Sequence, residues 1–114
     1  MSVKLTTRQV GDVTVIDAVG RITLGEGAST FRDLIRELAS GGHKKMLLNL
    51  AEVSYIDSSG IGEMVSGFTT VANQGGTMKL LNLTKRVKDL LQITKLYTVF
   101  EVFEDEATAV RSYS

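Results

Sequence analysis

The 114-residue chain contains no cysteine and no proline. Lacking cysteine, it can form no disulfide, thiolate metal site or cysteine nucleophile, which fits a reducing compartment. Lacking proline, no helix or strand is interrupted from within. Neither sign of charge is in excess: thirteen basic and thirteen acidic residues leave a formal net charge of zero. That balance gives no global attraction to nucleic acid or to anionic lipid, and it suits a protein that meets another protein. The single histidine, His43, leaves a catalytic dyad or an imidazole-rich metal site without a second member. It stands between Gly41-Gly42 and Lys44-Lys45, a context that reads as an exposed turn. No run approaches the roughly 18 apolar residues of a membrane span. Met1-Ser2-Val3-Lys4-Leu5 carries no signal-peptide pattern. The reading is a cytoplasmic protein without membrane insertion.

What is present is the make-up of a globular domain, 43% hydrophobic and 23% charged. One domain spanning residues 1–114 is expected; a chain of this size buries roughly 70% of its extended surface, enough for a core. Val3 to Thr7 and Val13 to Val19 read as strands, joined by a Gly11-Asp12 hairpin turn, with Gly20 ending the second. Phe31, Leu34, Ile35, Leu38 and Ala39 recur at helical spacing. Ser29 or Thr30 is the expected cap of that helix, and Gly41-Gly42 its stop. Lys45 to Leu50 reads as a buried strand, followed by Val53, Tyr55 and Ile56. A second helix is expected from Ser58 to Asn73, its apolar face made by Ile61, Met64, Val65, Phe68 and Ala72. After Gly75-Gly76 come a strand at Met78 to Leu83 and a helix capped by Thr84 that buries Val87, Leu90 and Leu91. A last strand at Val99 to Phe103 and a helix over Glu104 to Val110 complete the chain. The order ββαβαβαβα implies an α/β fold: a mixed, mostly parallel sheet packed with about four helices.

One segment stands apart, Asp57-Ser58-Ser59-Gly60-Ile61-Gly62. It follows a buried strand and opens a helix, at the end of a sheet where α/β proteins place their sites. Free N–H groups at a helix start welcome an anion, including a phosphate on a nearby side chain. Phosphoserine carries about −1.5 to −2 charges and three acceptor oxygens. On a serine of this segment it would leave the fold undisturbed yet repel a docked partner. Ser59, Gly62, Glu63, Ser66 and Thr70 share the outward side of this helix, as a docking face requires. The plainer reading of Asp57 or Ser58 is an N-cap, worth about 1 kcal/mol. Gly67, inside the helix, fits either a core contact or a partner contact.

Val53-Ser54-Tyr55-Ile56-Asp57-Ser58-Ser59-Gly60-Ile61-Gly62 resembles the signature of the STAS family, the sulfate transporter and anti-sigma factor antagonist domains. Leu47 to Leu50 before it resembles the family's central strand; Gly75-Gly76, Met78 to Leu83 and Val87 to Leu91 follow in the family's order and spacing. The resemblance implies an anti-sigma factor antagonist whose partner choice is switched at Ser58. Its partner is implied to be an anti-sigma factor that is also a serine kinase of ATPase type, bound when Ser58 is unphosphorylated. A phosphatase would reset the phosphorylated form. Asp57 would support the loop and the kinase contact, and Ser59 and Gly60 would shape the helix start. Where the family often has Gly-x-Leu-Asp at the partner interface, this chain has Gly20-Arg21-Ile22-Thr23, followed by the glycine-rich Leu24-Gly25-Glu26-Gly27. Thr23 therefore stands at the aspartate's place, with Glu26 a nearby acid.

Two other jobs compete with the switch. Thr23 favours a constitutive scaffold subunit of a signalling or lipid-transport assembly. An enzyme or small-molecule site at the Asp57–Gly60 mouth lacks a base, a metal set and a cofactor motif. The conspicuous glycines form neither a Walker pattern nor a G-x-G-x-x-G after a strand, so no cofactor is expected and any ATP belongs to the partner. Lys85, Arg86, Lys88 and Lys95 read as a solvated helix face rather than a nucleic-acid patch. Glu104-Asp105-Glu106 reads as a helix N-terminus rather than a metal cluster.

Overall fold

The computed structural model describes residues 3–114. Met1 and Ser2, part of the stretch read for a signal peptide and of the 1–114 domain, lie outside the described residues. The elements run β1 (Val3–Val10), β2 (Val13–Ile22), α1 (Glu26–Ser40), β3 (Lys45–Ile56), α2 (Ser58–Asn73), β4 (Thr77–Leu81), α3 (Lys85–Ile93), β5 (Val102–Phe103) and α4 (Glu106–Arg111). They form one five-stranded sheet in the order β1-β2-β3-β4-β5. The Gly11-Asp12 turn sets β1 antiparallel to β2, with Val10 opposite Val13. The other three pairings are parallel. This is the α/β order read from the sequence.

The two faces of the sheet are covered unequally. Ile16, Ala18, Met46, Leu48 and Leu80 point to one face and pack with Phe31 and Ile35 of α1, Ile61 and Met64 of α2, and Val87 and Leu91 of α3. Val13, Val15, Leu47 and Leu81 point to the other, where Ala109 of α4 joins them. The apolar residues of β2 and β3 face both ways, which is why those strands read as near-continuous hydrophobic runs.

Several boundaries differ from the sequence reading. β2 continues through Gly20, whose φ of +113° is accommodated in the strand, and ends at Ile22. β3 does not stop at Leu50 but carries on to Ile56 through the exposed Ala51-Glu52 step, with register shifts against β2 between Asp17 and Val19 and between Gly20 and Arg21. α1 starts three residues before Ser29: Gly25, at φ 97°, turns the chain into it and no side chain caps it. Ala72 is exposed, and Val71 takes the buried place on α2. β4 spans Thr77–Leu81 rather than Met78 to Leu83, because Asn82 adopts a positive φ of 58°. Of the expected Val99 to Phe103 strand only β5 forms; Tyr97–Val99 is a 3-10 turn. The last helix begins at Glu106, with Asp105 as its cap.

Lys79 sits in the apolar stretch of β4 and is 6% exposed. Its ammonium donates to the Ser112 carbonyl at 3.2 Å and to Ser112 Oγ at 2.8 Å, and lies 4.4 Å from the Tyr113 ring centroid. A buried cation is tolerable only with such partners. At the other end of the same face, Arg8 of β1 joins Asp17 of β2 (2.6 Å) to Glu106 of α4 (2.6 Å).

Candidate functional site

The Asp57–Gly62 segment lies where β3 ends and α2 begins. Asp57 caps the helix: its Oδ1 accepts from the Gly60 N–H at 2.9 Å. Its Oδ2 accepts from the Leu24 N–H at 3.0 Å, which ties the β2–α1 loop to the start of α2. One carboxylate therefore holds two chain segments 33 residues apart. Desolvation pushes the Asp57 carboxyl up, but the N–H groups of Leu24, Gly60 and Ser59 outweigh it and hold the carboxyl below its ordinary value of 3.8. A depressed carboxyl stabilises the fold above its unfolded pKa, and the contribution disappears as pH falls through the folded value. Asp57→Ala is expected to lower unfolding free energy by about 1–2 kcal/mol at neutral pH. As pH falls through the depressed folded value the difference from wild type should shrink. Urea melts of both proteins at neutral and acid pH check this; a loss that persists undiminished in acid would contradict the carboxylate's role.

The cap also corrects one expectation. The N–H groups at the helix start are not free for a phosphate, because the Asp57 carboxylate already faces those of Ser59 and Gly60. The capping role falls to Asp57 and leaves Ser58, the first residue of α2, with an exposed side chain. A phosphate on Ser58 would stand at the surface beside a carboxylate rather than nest in the backbone.

The glycines of α2 divide by what a side chain would meet there. A Cβ on Gly60 would lie 2.1 Å from the Ile22 carbonyl oxygen and 2.7 Å from Ile56 Cγ1, so α2 presses directly onto the end of β2. Gly27 of α1 does the same against the Arg21 carbonyl, at 2.6 Å. A Cβ on Gly67 would lie 3.2 Å from Ile35 Cγ2, which makes Gly67 a contact with α1 rather than with a partner. A Cβ on Gly62 would meet nothing within 4 Å. Internal packing does not require glycine at Gly62, which leaves the helix backbone open to close approach from outside.

The remaining expected residues spread from this point. Ser59 is half-buried, and Gly62 and Ser66 are exposed. Glu63 lies 3.8 Å from Arg32 of α1, and both border a crevice with Ser66 between the two helices. Thr23 is half-buried, its carbonyl accepting from the Ala28 N–H at 2.9 Å. Thr23, Leu24, Asp57 and Ser58 are thus brought together, with Gly62, Glu63 and Ser66 trailing along α2.

A concavity of about 660 Å³ is lined by residues such as Asn82, Thr84, Lys88 and Tyr97, and none of its lining residues comes from Asp57 to Gly60. His43 is half-buried rather than exposed, its Nδ1 2.9 Å from the Thr14 hydroxyl near the start of β3, the opposite end of that strand from Asp57. Asp105 caps α4 and Glu106 pairs with Arg8, which accounts for two of the three acids read as a helix start. Among the described residues no group of three potential ligands could hold a metal ion. No helix among them is long and apolar enough to cross a membrane.

Sequence reading missed three features of this surface. Leu24 is 79% exposed although its N–H is pinned by Asp57. Arg21 and Tyr55 are cross-strand partners, and Arg86 of α3 reaches the same ring. A leucine within a glycine-rich loop was the one visible signal; the convergence of three separate elements left none.

Among protein families, residues 4–109 match the STAS domain. The anti-sigma-B factor antagonist of Bacillus subtilis (strain 168) is 31% identical over 102 residues, covering 90% of this chain and 92% of the relative. A crystal structure of an anti-sigma factor antagonist from Mycobacterium paratuberculosis superposes with a TM-score of 0.86 at 14% identity, covering 97% of this chain and 93% of that one. The phosphorylated form of the Bacillus cell fate determinant SpoIIAA gives a TM-score of 0.77 at 19% identity, covering 97% and 100%.

Proposed function

The chain belongs to the STAS domain family, and we propose that it acts as an anti-sigma factor antagonist, a binding protein rather than an enzyme. Unphosphorylated, it docks an anti-sigma factor that is also a serine kinase of ATPase type and so frees the sigma factor. Phosphate on Ser58 ends the docking, and a phosphatase restores it. The relative that covers nine-tenths of the chain bears that name. The observation that carries the reading is the exposed Ser58 set beside a carboxylate already committed to the helix start. A dianion there meets the Ser59 and Gly60 N–H groups already taken by Asp57, and faces whatever docks along Leu24, Gly62 and Ser66.

The test uses wild-type protein and Ser58→Asp as baits in the native host, with retained proteins and phosphate mapped by mass spectrometry. An anti-sigma factor kinase held by wild type and lost with Ser58→Asp, together with phosphate on Ser58, supports the switch. Equal retention on both baits with Ser58 unmodified would replace it by the constitutive scaffold, a reading that Thr23 in place of an interface acid favours.

A further inference from the structure

Two guanidinium groups converge on one aromatic ring beside the Ser58 segment. Arg21 of β2 and Arg86 of α3 place their guanidinium carbons 5.3 Å and 4.4 Å from the centre of the Tyr55 ring. Arg86 also donates through Nε to the Ile56 carbonyl at 3.4 Å, one residue before Asp57. All three side chains are exposed, Tyr55 at 37%. Among the described residues neither arginine is paired with a carboxylate. Neighbouring Lys85, by contrast, is matched by Asp89 at 2.7 Å. Asp57, two residues after Tyr55, has both oxygens engaged by backbone N–H groups. Two positive charges in a neutral protein are therefore held in place, uncompensated, at the edge of the docking surface.

Stacking on the ring fixes the planes of the guanidinium groups while leaving N–H donors free, and a fixed fork matches a carboxylate in two-point fashion. Leu24 adds an apolar anchor in a loop already tied down by Asp57, so little freedom is lost when it is covered. Aromatic and arginine side chains with this degree of pre-organisation are the residue types that dominate interface energetics. We propose that Arg21, Tyr55, Arg86 and Leu24 form a recognition patch for an acidic protein surface, the arginines taking carboxylates and Leu24 entering an apolar recess. The proposal deepens the antagonist reading, and rests on it for the identity of the partner. It specifies that the anti-sigma factor presents aspartate or glutamate to this patch, and that the patch, through its charge, selects among related partners.

The experiment has two arms on the full chain. In the first, hexaglutamate is titrated into labelled protein and followed by NMR at the Arg Nε–H and backbone amide signals. Shifts centred on Arg21, Arg86, Tyr55 and Leu24, abolished by the Arg21→Gln/Arg86→Gln double variant and not produced by hexalysine, support the patch. Shifts centred on Lys85 and Lys88 instead, or stronger ones with a single-stranded oligonucleotide, overturn it. In the second arm, affinity for the purified anti-sigma factor retained by wild type is measured against salt. Arg86→Glu should weaken it at least tenfold and flatten the salt dependence, while Lys88→Glu leaves both near wild type. Unchanged affinity with Arg86→Glu overturns the patch and leaves the antagonist reading intact. A peptide response at the patch in a protein that binds no anti-sigma factor keeps the patch and removes that reading.

Discussion

Gly60→Ala should destabilise the protein by about 3 kcal/mol, at the upper end of what overpacking costs. The added methyl carbon would sit 2.1 Å from the Ile22 carbonyl oxygen, deep inside contact distance. Neither side can give way cheaply. The Ile22 carbonyl also accepts from the Asp57 N–H at 3.4 Å, and α2 is anchored by the two Asp57 oxygens. Moving the helix outward breaks these contacts and pulls Ile61 and Met64 from the core. The intrinsic preference of a helix for alanine over glycine returns about 1 kcal/mol and does not offset this. The same helix supplies its own controls. Gly62→Ala meets nothing within 4 Å and should be stabilising by up to about 1 kcal/mol. Gly67→Ala, at 3.2 Å from the Ile35 Cγ2 methyl, should fall between. Urea denaturation of the three variants gives the ranking directly. If Gly60→Ala proved as stable as Gly62→Ala, the close seating of α2 on β2 would be wrong.

The second large effect is on binding. Stoichiometric phosphate on Ser58 should weaken anti-sigma factor affinity by a hundredfold or more, equivalent to about 2.7 kcal/mol. Like charges brought together across an interface cost several kcal/mol. Here the charge added is close to two and stands next to Asp57, which stays ionised because its carboxyl is held low. Size and charge separate by substitution: Ser58→Asn adds bulk alone, Ser58→Asp adds one charge with it. Calorimetric titration should rank Ser58→Ala near wild type, Ser58→Asn somewhat weaker, Ser58→Asp weaker again and the phosphoprotein weakest. The melting temperature should stay nearly constant across the series, since the Ser58 side chain points to solvent and Asp57 does the capping. A loss of affinity accompanied by a parallel loss of stability would mean that the serine supports the fold instead.

Helices with a clear apolar period were legible in the sequence. α2 starts at Ser58 and ends at Asn73 as expected, because Ile61, Met64 and Phe68 mark one face and the glycine pair at 75–76 stops the chain. The start of α1 was not legible, since no side-chain cap announces it; Gly25 makes the turn through its backbone alone. β5 was overestimated because Val99 and Phe100 have strand-like composition but are drawn into the turn after α3, where Phe100 packs edge-on against Phe68 with ring centroids 5.4 Å apart. The cover over Lys79 was not legible, and His43 was misread as an exposed turn, for a shared reason: each is a polar group covered by residues distant in sequence, Ser112 and Tyr113 in one case and Thr14 in the other. At the site, Asp57 and Ser58 stood out because their motif is contiguous. Arg21, Tyr55 and Arg86 did not, because only the folded sheet brings β2, β3 and α3 to one place.

The Arg8–Glu106 pair spans 98 residues, and that separation bears on the order in which the molecule assembles. The β1–β2 hairpin closes a two-residue loop and can form early, whereas the contact that seats α4 must wait until nearly the whole chain has been gathered. α4 is six residues long and sets a single fully buried side chain, Ala109, into the sheet, with Val110 packed beside it. It is therefore the segment that docks last and detaches most readily. Its departure would bare Leu81, Phe103 and Lys79 on one face of the sheet, while α1 and α2, on the opposite face, keep the Ser58 surface assembled. Nascent or partly opened molecules thus retain the proposed docking front while showing a sticky back, so aggregation and proteolytic trimming should begin at α4 rather than at the Ser58 surface.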